Sequence, residues 1–179
     1  RRGKGTHVIY KYTPTPVAAP LIGMLQEIES MARNSRASIL ECEMMRPPQD
    51  IRDELELDAS DTALHLIRVR ERGGLNFGYY MSWTAGVEKP VNQKLLETTP
   101  RLTYFRDNGL EITHVTQTIS ACAASSECAH ALNIPERSPL LSLTRRSYNR
   151  VNEQEHLMDY LHVLYNPELF QYKMDLKLD

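Results

Sequence analysis

Residues 55–70 read LELDASDTALHLIRVR, and residues 132–147 read LNIPERSPLLSLTRRS. Laid on one another, Leu55 matches Leu132, Leu57 matches Ile134, Leu64 matches Leu141, Leu66 matches Leu143 and Arg68 matches Arg145. Each copy predicts a short helix, a turn and a strand, and a turn and another strand follow each. Such a repeat implies a pseudo-symmetric α+β domain, with helices packed on one central antiparallel sheet.

Outward from the first copy, residues 38–46 alternate as a strand that Pro47-Pro48 closes, and Gln49–Leu57 predicts a short helix. Residues 63–71 and 76–84 are strands joined by Arg72-Gly73-Gly74-Leu75, a hairpin signal. Residues 91–108 are expected to be mainly helical. The β-branched run 112–123 predicts a long strand, and Ser125 or Ser126 caps a helix through Leu132. Three more strands are expected near 139–148, 155–165 and 170–178. Upstream, Leu21, Met24, Leu25, Ile28 and Met31 keep a helical rhythm. Residues 10–20, with Pro14, Pro16 and Pro20, favour extended chain and are expected to be a linker. The first stretch, RRGKGTHV, is either a basic tail or the tip and return strand of a β-hairpin wing. In a wing the glycines would make the turn, and Arg1, Arg2 and Lys4 would meet DNA phosphates. The organisation expected is a wing end over 1–9, a linker over 10–20 and one domain over 21–179.

Bulk properties narrow the function. With 179 residues, 41% hydrophobic and 25% charged, the chain can bury a core without staples. A net charge of −2 argues against the body of the chain being a nucleic-acid grip. No apolar run is long enough for a membrane span, and no secretory h-region follows the basic start. Cys42, Cys122 and Cys128 are odd in number and lack CxxC spacing, so free thiols in a reducing cytoplasm are expected. The six histidines show no ligand-like spacing, and neither a metal nor a cofactor is expected. No Ser/His/Asp order and no Gly-rich phosphate loop supports catalysis.

Strand alternation supplies the candidate site. Residues two apart share a face, so Leu64, Leu66, Arg68 and Arg70 form one row in which two arginines continue an apolar stripe. Arginine is seldom buried unless paired, and it grips carboxylate or phosphate with two donors. Arg68 and Arg70 therefore either bind a ligand or sit at the rim of the sheet, in solvent or in salt bridges with Asp159 or Glu127. Leu157, Asp159, Leu161, Val163 and Tyr165 share another face. Asp159, inside that row, needs a partner, which is either a ligand's polar group beside Tyr165 or an arginine of the chain. Tyr80 lies with Ser82 and Thr84 and could line a pocket; Tyr79 lies with Phe77, Met81 and Trp83, a set read as core or dimer contact. His162 falls on the face opposite Asp159 and is read as structural or dimer-facing. Arg101 and Thr103 stand at a helix start, a natural position for an anion.

Further motifs resemble a known family. Arg68-Val69-Arg70 after Leu64-His65-Leu66-Ile67, then Arg101-Leu102-Thr103-Tyr104, Thr116-Gln117-Thr118-Ile119, the Ala129–Ile134 segment, Ser138-Pro139-Leu140-Leu141-Ser142-Leu143 and Tyr165-Asn166-Pro167-Glu168-Leu169-Phe170 follow one another in the family's order. Over residues 17–178 the chain resembles the UTRA effector-binding domain of GntR-superfamily, HutC-type bacterial transcription regulators, and RRGKGTHV resembles the last wing of their winged helix. The resemblance implies a chorismate-lyase-like fold, a homodimer, a small-molecule effector and operator DNA held by an N-terminal domain. The pattern departs from the family at Arg101, which stands for its serine, at Thr103 for its tyrosine, at Tyr80 for a frequent glutamate, and at Glu168 for its aspartate.

The function expected is thus that of a cytoplasmic ligand-sensing domain of a transcription regulator, not an enzyme. Its effector is expected to be a small anionic metabolite that meets Arg68, Arg70, Tyr80, Arg101, Thr103, Asp159 and Tyr165. The alternatives are an enzyme of the lyase-like fold and a dimerisation module without ligand.

Overall fold

A computed structural model describes residues 34–88 and 90–171. The predicted wing end, linker and 21–33 helix lie outside these residues. Ten elements follow in chain order: β1 (Arg36–Met45), α1 (Gln49–Glu54), β2 (Ala63–Arg72), β3 (Leu75–Thr84), α2 (Gln93–Leu96), α3 (Arg101–Asp107), β4 (His114–Ala123), α4 (Ser126–Leu132), β5 (Pro139–Val151) and β6 (Gln154–Tyr165). The strands form one sheet in the order β1-β2-β3-β6-β5-β4, with every neighbouring pair antiparallel.

That order makes the internal repeat visible. Each half runs strand, helix, strand, hairpin, strand, and the two halves meet where β3 pairs with β6. Arg68 on β2 pairs with Tyr80 on β3, and Arg145 on β5 pairs with Leu161 on β6. The two arginines matched in sequence therefore hold equivalent places in the two halves, each one strand out from the junction.

Local signals explain the elements. Gly73 and Gly74 carry φ of 61° and 80° and make the β2–β3 turn, a conformation that favours glycine. The Ser125 side chain accepts from the Cys128 amide and caps α4, and Asn133 ends that helix in the left-handed region at φ 55°. The stretch expected to be mainly helical over 91–108 is instead two short helices. Pro100 lies between them and disfavours helical geometry in the residue before it. Strand expectations hold for six segments, but Phe170 and Gln171 lie outside any strand and the rest of 170–178 is not among the described residues.

Both faces of the sheet are covered in part, each with its own chemistry. On one face α4 packs Cys128, Ala129 and Leu132 against Ile67, Val69 and Tyr79. There the Tyr79 hydroxyl also donates to Glu127 at 2.7 Å. Next to it, α1 sets Ile51 and Leu55 against Ala63, Trp83 and Ala85. The other face receives Leu96 of α2 and Tyr104 and Phe105 of α3 on Leu64 and Leu66. Burying each such large apolar side chain is worth about 1.5–3 kcal/mol, so these four helices are held chiefly by apolar contact. Along β2 beyond Leu66, however, this face turns to Arg68 and Arg70, beside an apolar cluster that includes Tyr80, Leu143, Leu161, Val163 and Phe170. Among the described residues no helix is long and apolar enough to cross a membrane.

Candidate functional site

The register aligns the predicted residues in rows across this second face. One row holds Arg70, Gly78, Tyr165 and Leu141; the next holds Arg68, Tyr80, Val163 and Leu143. A third holds Leu66, Ser82, Leu161, Arg145 and Gln117, and a fourth Leu64, Thr84, Asp159 and Ser147. Pairing thus brings Arg68, Arg70, Tyr80, Asp159 and Tyr165, which alternation had placed only strand by strand, onto one surface.

Burial is nearly complete. Arg68 and Arg70 are each 2% exposed, Arg101 5%, Arg145 6% and Asp159 0%. Asp159 is held on three sides. Arg101 reaches down from the first turn of α3 and donates Nη1 to Oδ1 at 2.5 Å and Nη2 to Oδ2 at 2.6 Å. The Thr84 hydroxyl donates to Oδ1 at 2.7 Å. The arginine paired with Asp159 is therefore Arg101, neither Arg68 nor Arg70. Glu127, the other carboxylate considered for them, lies across the sheet with Tyr79.

Arg68 is left with little. Its Nη1 meets the Leu96 carbonyl at 3.5 Å, the outer limit of a hydrogen bond, and its buried Nε has no partner among the described residues. Its Cζ lies 5.7 Å from the centroid of the Tyr80 ring, and that of Arg70 lies 6.0 Å away, so one aromatic ring serves both cations. Arg70 also donates to the Ser35 hydroxyl at 2.6 Å. Burial, then the nearby charges of Arg101 and Arg70, hold the Arg68 guanidinium down to about 9. Burial also lowers Arg70 and Arg145.

Two tyrosines form the floor. The Tyr80 hydroxyl donates to that of Tyr165 at 3.1 Å, with the rings edge-on at 5.7 Å, and Tyr165 stacks on Phe170 at 3.9 Å. Burial raises both phenols, so at neutral pH each keeps its proton and remains a donor. Gly78 makes this packing feasible: a Cβ there would lie 2.7 Å from Tyr80 Cε2 and 3.2 Å from Tyr165 Cδ1.

Some expectations need correction. Thr103 does not join the cluster: it is half-exposed, while α3 buries Arg101, Tyr104 and Phe105. Nor is the α3 start open, since its arginine is engaged by Asp159. Phe77, expected beside Tyr79, packs with Tyr80 and Tyr165 instead, because the β2–β3 register slips between Arg70 and Glu71 and leaves Phe77 out of the pairing. His162, on the opposite face as expected, meets the Ser142 hydroxyl at 2.9 Å. Arg145 was missed as a site residue. Its signal was the same as that of Arg68: Leu141, Leu143, Arg145 and Ser147 alternate as one row that turns from apolar to polar.

A separate cavity of about 300 Å³ lies beside α3, lined by residues that include Gly86, Val87, Tyr104, Phe105 and Leu110. No cationic group is among its described lining residues, and it does not contain the arginine cluster.

The fold is similar to those of known proteins. The fold matches a possible transcriptional regulator of Bacillus subtilis, YydK, at 18% identity and TM-score 0.70, covering 81% of this chain and 64% of that one. It matches the ligand-binding domain of a protein assigned to the GntR family of transcriptional regulators in Bordetella bronchiseptica, at 24% identity and TM-score 0.69, covering 80% and 91%. It also matches the effector domain of PhnF from Mycobacterium smegmatis, at 16% identity and TM-score 0.67, covering 80% and 88%. The chain thus spans just under two thirds of the YydK chain and nearly all of the two separate domains. No curated protein sequence matches it significantly. At 16–24% identity these likenesses are of fold. A family model matches residues 30–171, most of the sequence, and the chain belongs to the UTRA domain family.

Proposed function

We propose that this domain senses a small anionic metabolite at the Arg68–Arg70 face and alters operator binding by a winged helix N-terminal to it, in a cytoplasmic homodimeric regulator of the GntR superfamily, HutC type. The observation that carries the reading is Arg68: a nearly buried guanidinium, with an unbonded Nε and no carboxylate partner among the described residues. A buried cation without a counter-charge is costly, and an incoming anion relieves that cost through two-pronged hydrogen bonds. Arg70 adds a second cation beside it. Tyr80 and Tyr165 offer neutral hydroxyls to the rest of the molecule, and the Arg101–Asp159 pair fixes α3 over the site.

Sensing requires that the ligand favour one of two arrangements of the dimer, and residues 10–20 would carry the difference to the DNA-binding heads. A coupling of about 1–3 kcal/mol changes operator affinity roughly 5–150-fold. The direct test is a thermal-shift screen of the chain against phosphorylated sugars, phosphonates, amino acids and aromatic acids, beside an Arg68→Ala/Arg70→Ala variant. At about a hundredfold above its dissociation constant a ligand adds about 2.7 kcal/mol. A stabilising acid whose effect disappears in the variant supports the reading. One that stabilises both proteins equally refutes this placement of the site.

A further inference from the structure

We propose that Arg145 is a second anion-holding residue of this site, so that the ligand carries two separate anionic groups, one on Arg68 with Arg70 and the other on Arg145. The proposal rests on the sensing role assigned above to this face. Its starting point is the charge count. Four guanidiniums are buried here, on Arg68, Arg70, Arg101 and Arg145, against one buried carboxylate among the described residues, Asp159. That carboxylate is spent: both its oxygens are taken by Arg101. Setting Arg70 aside, Arg68 and Arg145 are two nearly buried cations, neither in a salt bridge with a described residue.

Arg145 is built to stay in place. Gln117, beside it on β4, accepts from Nε at 3.0 Å and from Nη2 at 2.9 Å through one amide oxygen. This grip orients the guanidinium plane without neutralising it, and Nη1 has no hydrogen-bond partner among the described residues. A neutral anchor under a buried cation suits a transient counter-ion better than a permanent ion pair does. Tyr165, Arg101, Asp159 and Tyr80 all lie near enough to act on the charge of Arg145, and Tyr80 also feels Arg68 and Arg70. The arginines of both halves therefore bear on one space. On the same face, two residues along β5, the Ser147 hydroxyl is 0% exposed and bonds to nothing described. It is a further polar group that a ligand can satisfy.

The repeat explains the spacing. Arg68 and Arg145 lie on β2 and β5, with β3 and β6 between them, so three inter-strand steps of about 4.8 Å separate their backbones. The side chains extend over the sheet, and the paired hydroxyls of Tyr80 and Tyr165 stand on the intervening strands. A ligand with anionic groups at its two ends and a short neutral middle fits this order of partners.

Calorimetric titration of the chain with linear dicarboxylates from malonate to adipate, against monocarboxylates of equal length, tests the proposal. The expected result is a dicarboxylate of one preferred length that binds at least tenfold more tightly than its monocarboxylate. Arg145→Gln is expected to bring that dicarboxylate down to the monocarboxylate level, while the monocarboxylate changes by less than about threefold. Arg145→Lys, which keeps the charge and guards against a folding defect in the first variant, is expected to retain part of the preference. Monocarboxylates and dicarboxylates that bind alike, with Arg68→Ala still abolishing binding, would overturn the two-anion inference and leave the sensing role intact. Failure of these probes and of the wider acid panel to bind the unaltered chain would overturn both.

Discussion

Asp159→Asn should be among the most damaging single substitutions in this domain, although it replaces only one atom of the side chain. Asp159 is 0% exposed and receives three hydrogen bonds, two of them from a guanidinium that is itself buried. An asparagine keeps one acceptor but turns an N–H group toward an N–H of Arg101. It also removes the one buried negative charge among the described residues from a face that holds four buried arginines. Removing one partner of a buried pair costs about 3–5 kcal/mol, because the other charge stays behind. At about 2–4 °C per kcal/mol for a domain of this size, the melting temperature should fall by roughly 6–20 °C. Urea unfolding followed by fluorescence reads this directly, since Trp83 is the single tryptophan and sits in the core, stacked on His65. Arg101→Met/Asp159→Leu supplies the control. It removes both charges at once, leaves the net charge of the cluster unchanged, and should recover most of the loss. If the Asp159→Asn variant still binds a dicarboxylate, it should bind more tightly than the parent, because the cluster has gained a net positive charge. A loss below about 1 kcal/mol, or a double variant no more stable than the single one, would refute this account of the pair.

Two further outcomes follow from the same geometry. Arg68 must be charged to hold an anion, and its guanidinium is held down to about 9, so affinity for a dicarboxylate should be level from pH 7 to 8 and fall as pH rises through 9. At pH 10 the loss should be about tenfold, and equal affinity at pH 7 and pH 10 in a calorimetric titration would refute the assignment. Gly78→Ala would drive a methyl group into Tyr80 and Tyr165, and the Tyr165 ring is backed by Phe170 and cannot simply withdraw. It should cost about 1–3 kcal/mol in urea unfolding and weaken ligand binding in parallel, whereas an unchanged midpoint would show that the rings have room.

How much of this was legible beforehand can be argued residue by residue. Period-two alternation needs only the chain itself, so it placed Arg68 and Arg70 on one face and Asp159 and Tyr165 on another without knowing which strands were neighbours. Pairing was not available from alternation. That Asp159 and Thr84 lie side by side follows from β3 and β6 being adjacent at the centre of the sheet, a contact between residues 75 apart. For that reason the partner of Asp159 stayed open, and Arg101 was read as a group for an anion at a helix start and not as the partner of Asp159. The slip that moves Phe77 was equally hidden, since a bulge is a property of two strands and not of one. Arg145 is a different case. Both the alternation along β5 and the match to Arg68 in the repeat were present in the sequence, and what was missing was the step from a repeated position to a repeated role. The broken helix over 91–108 was legible too, for Pro100 stands in the middle of it.

The charge arrangement also limits what can bind. On a face with one fully engaged carboxylate and several buried guanidiniums, a neutral ligand would displace whatever water reaches the cations and return no counter-charge. A cationic one would add repulsion in a medium of low dielectric constant, where unit charges a few ångströms apart interact far more strongly than in water. An anion does the opposite, and its gain is largest for the cation whose own environment satisfies it least, which is Arg68. The depressed proton affinity of that residue measures how unfavourable its charged state is in the folded chain. Relief of that burden is specific to the ligand-bound state, so it favours whichever arrangement of the domain lets an anion in. A sensor requires such a difference between its states, and an arginine already paired, as Arg101 is with Asp159, could not supply it.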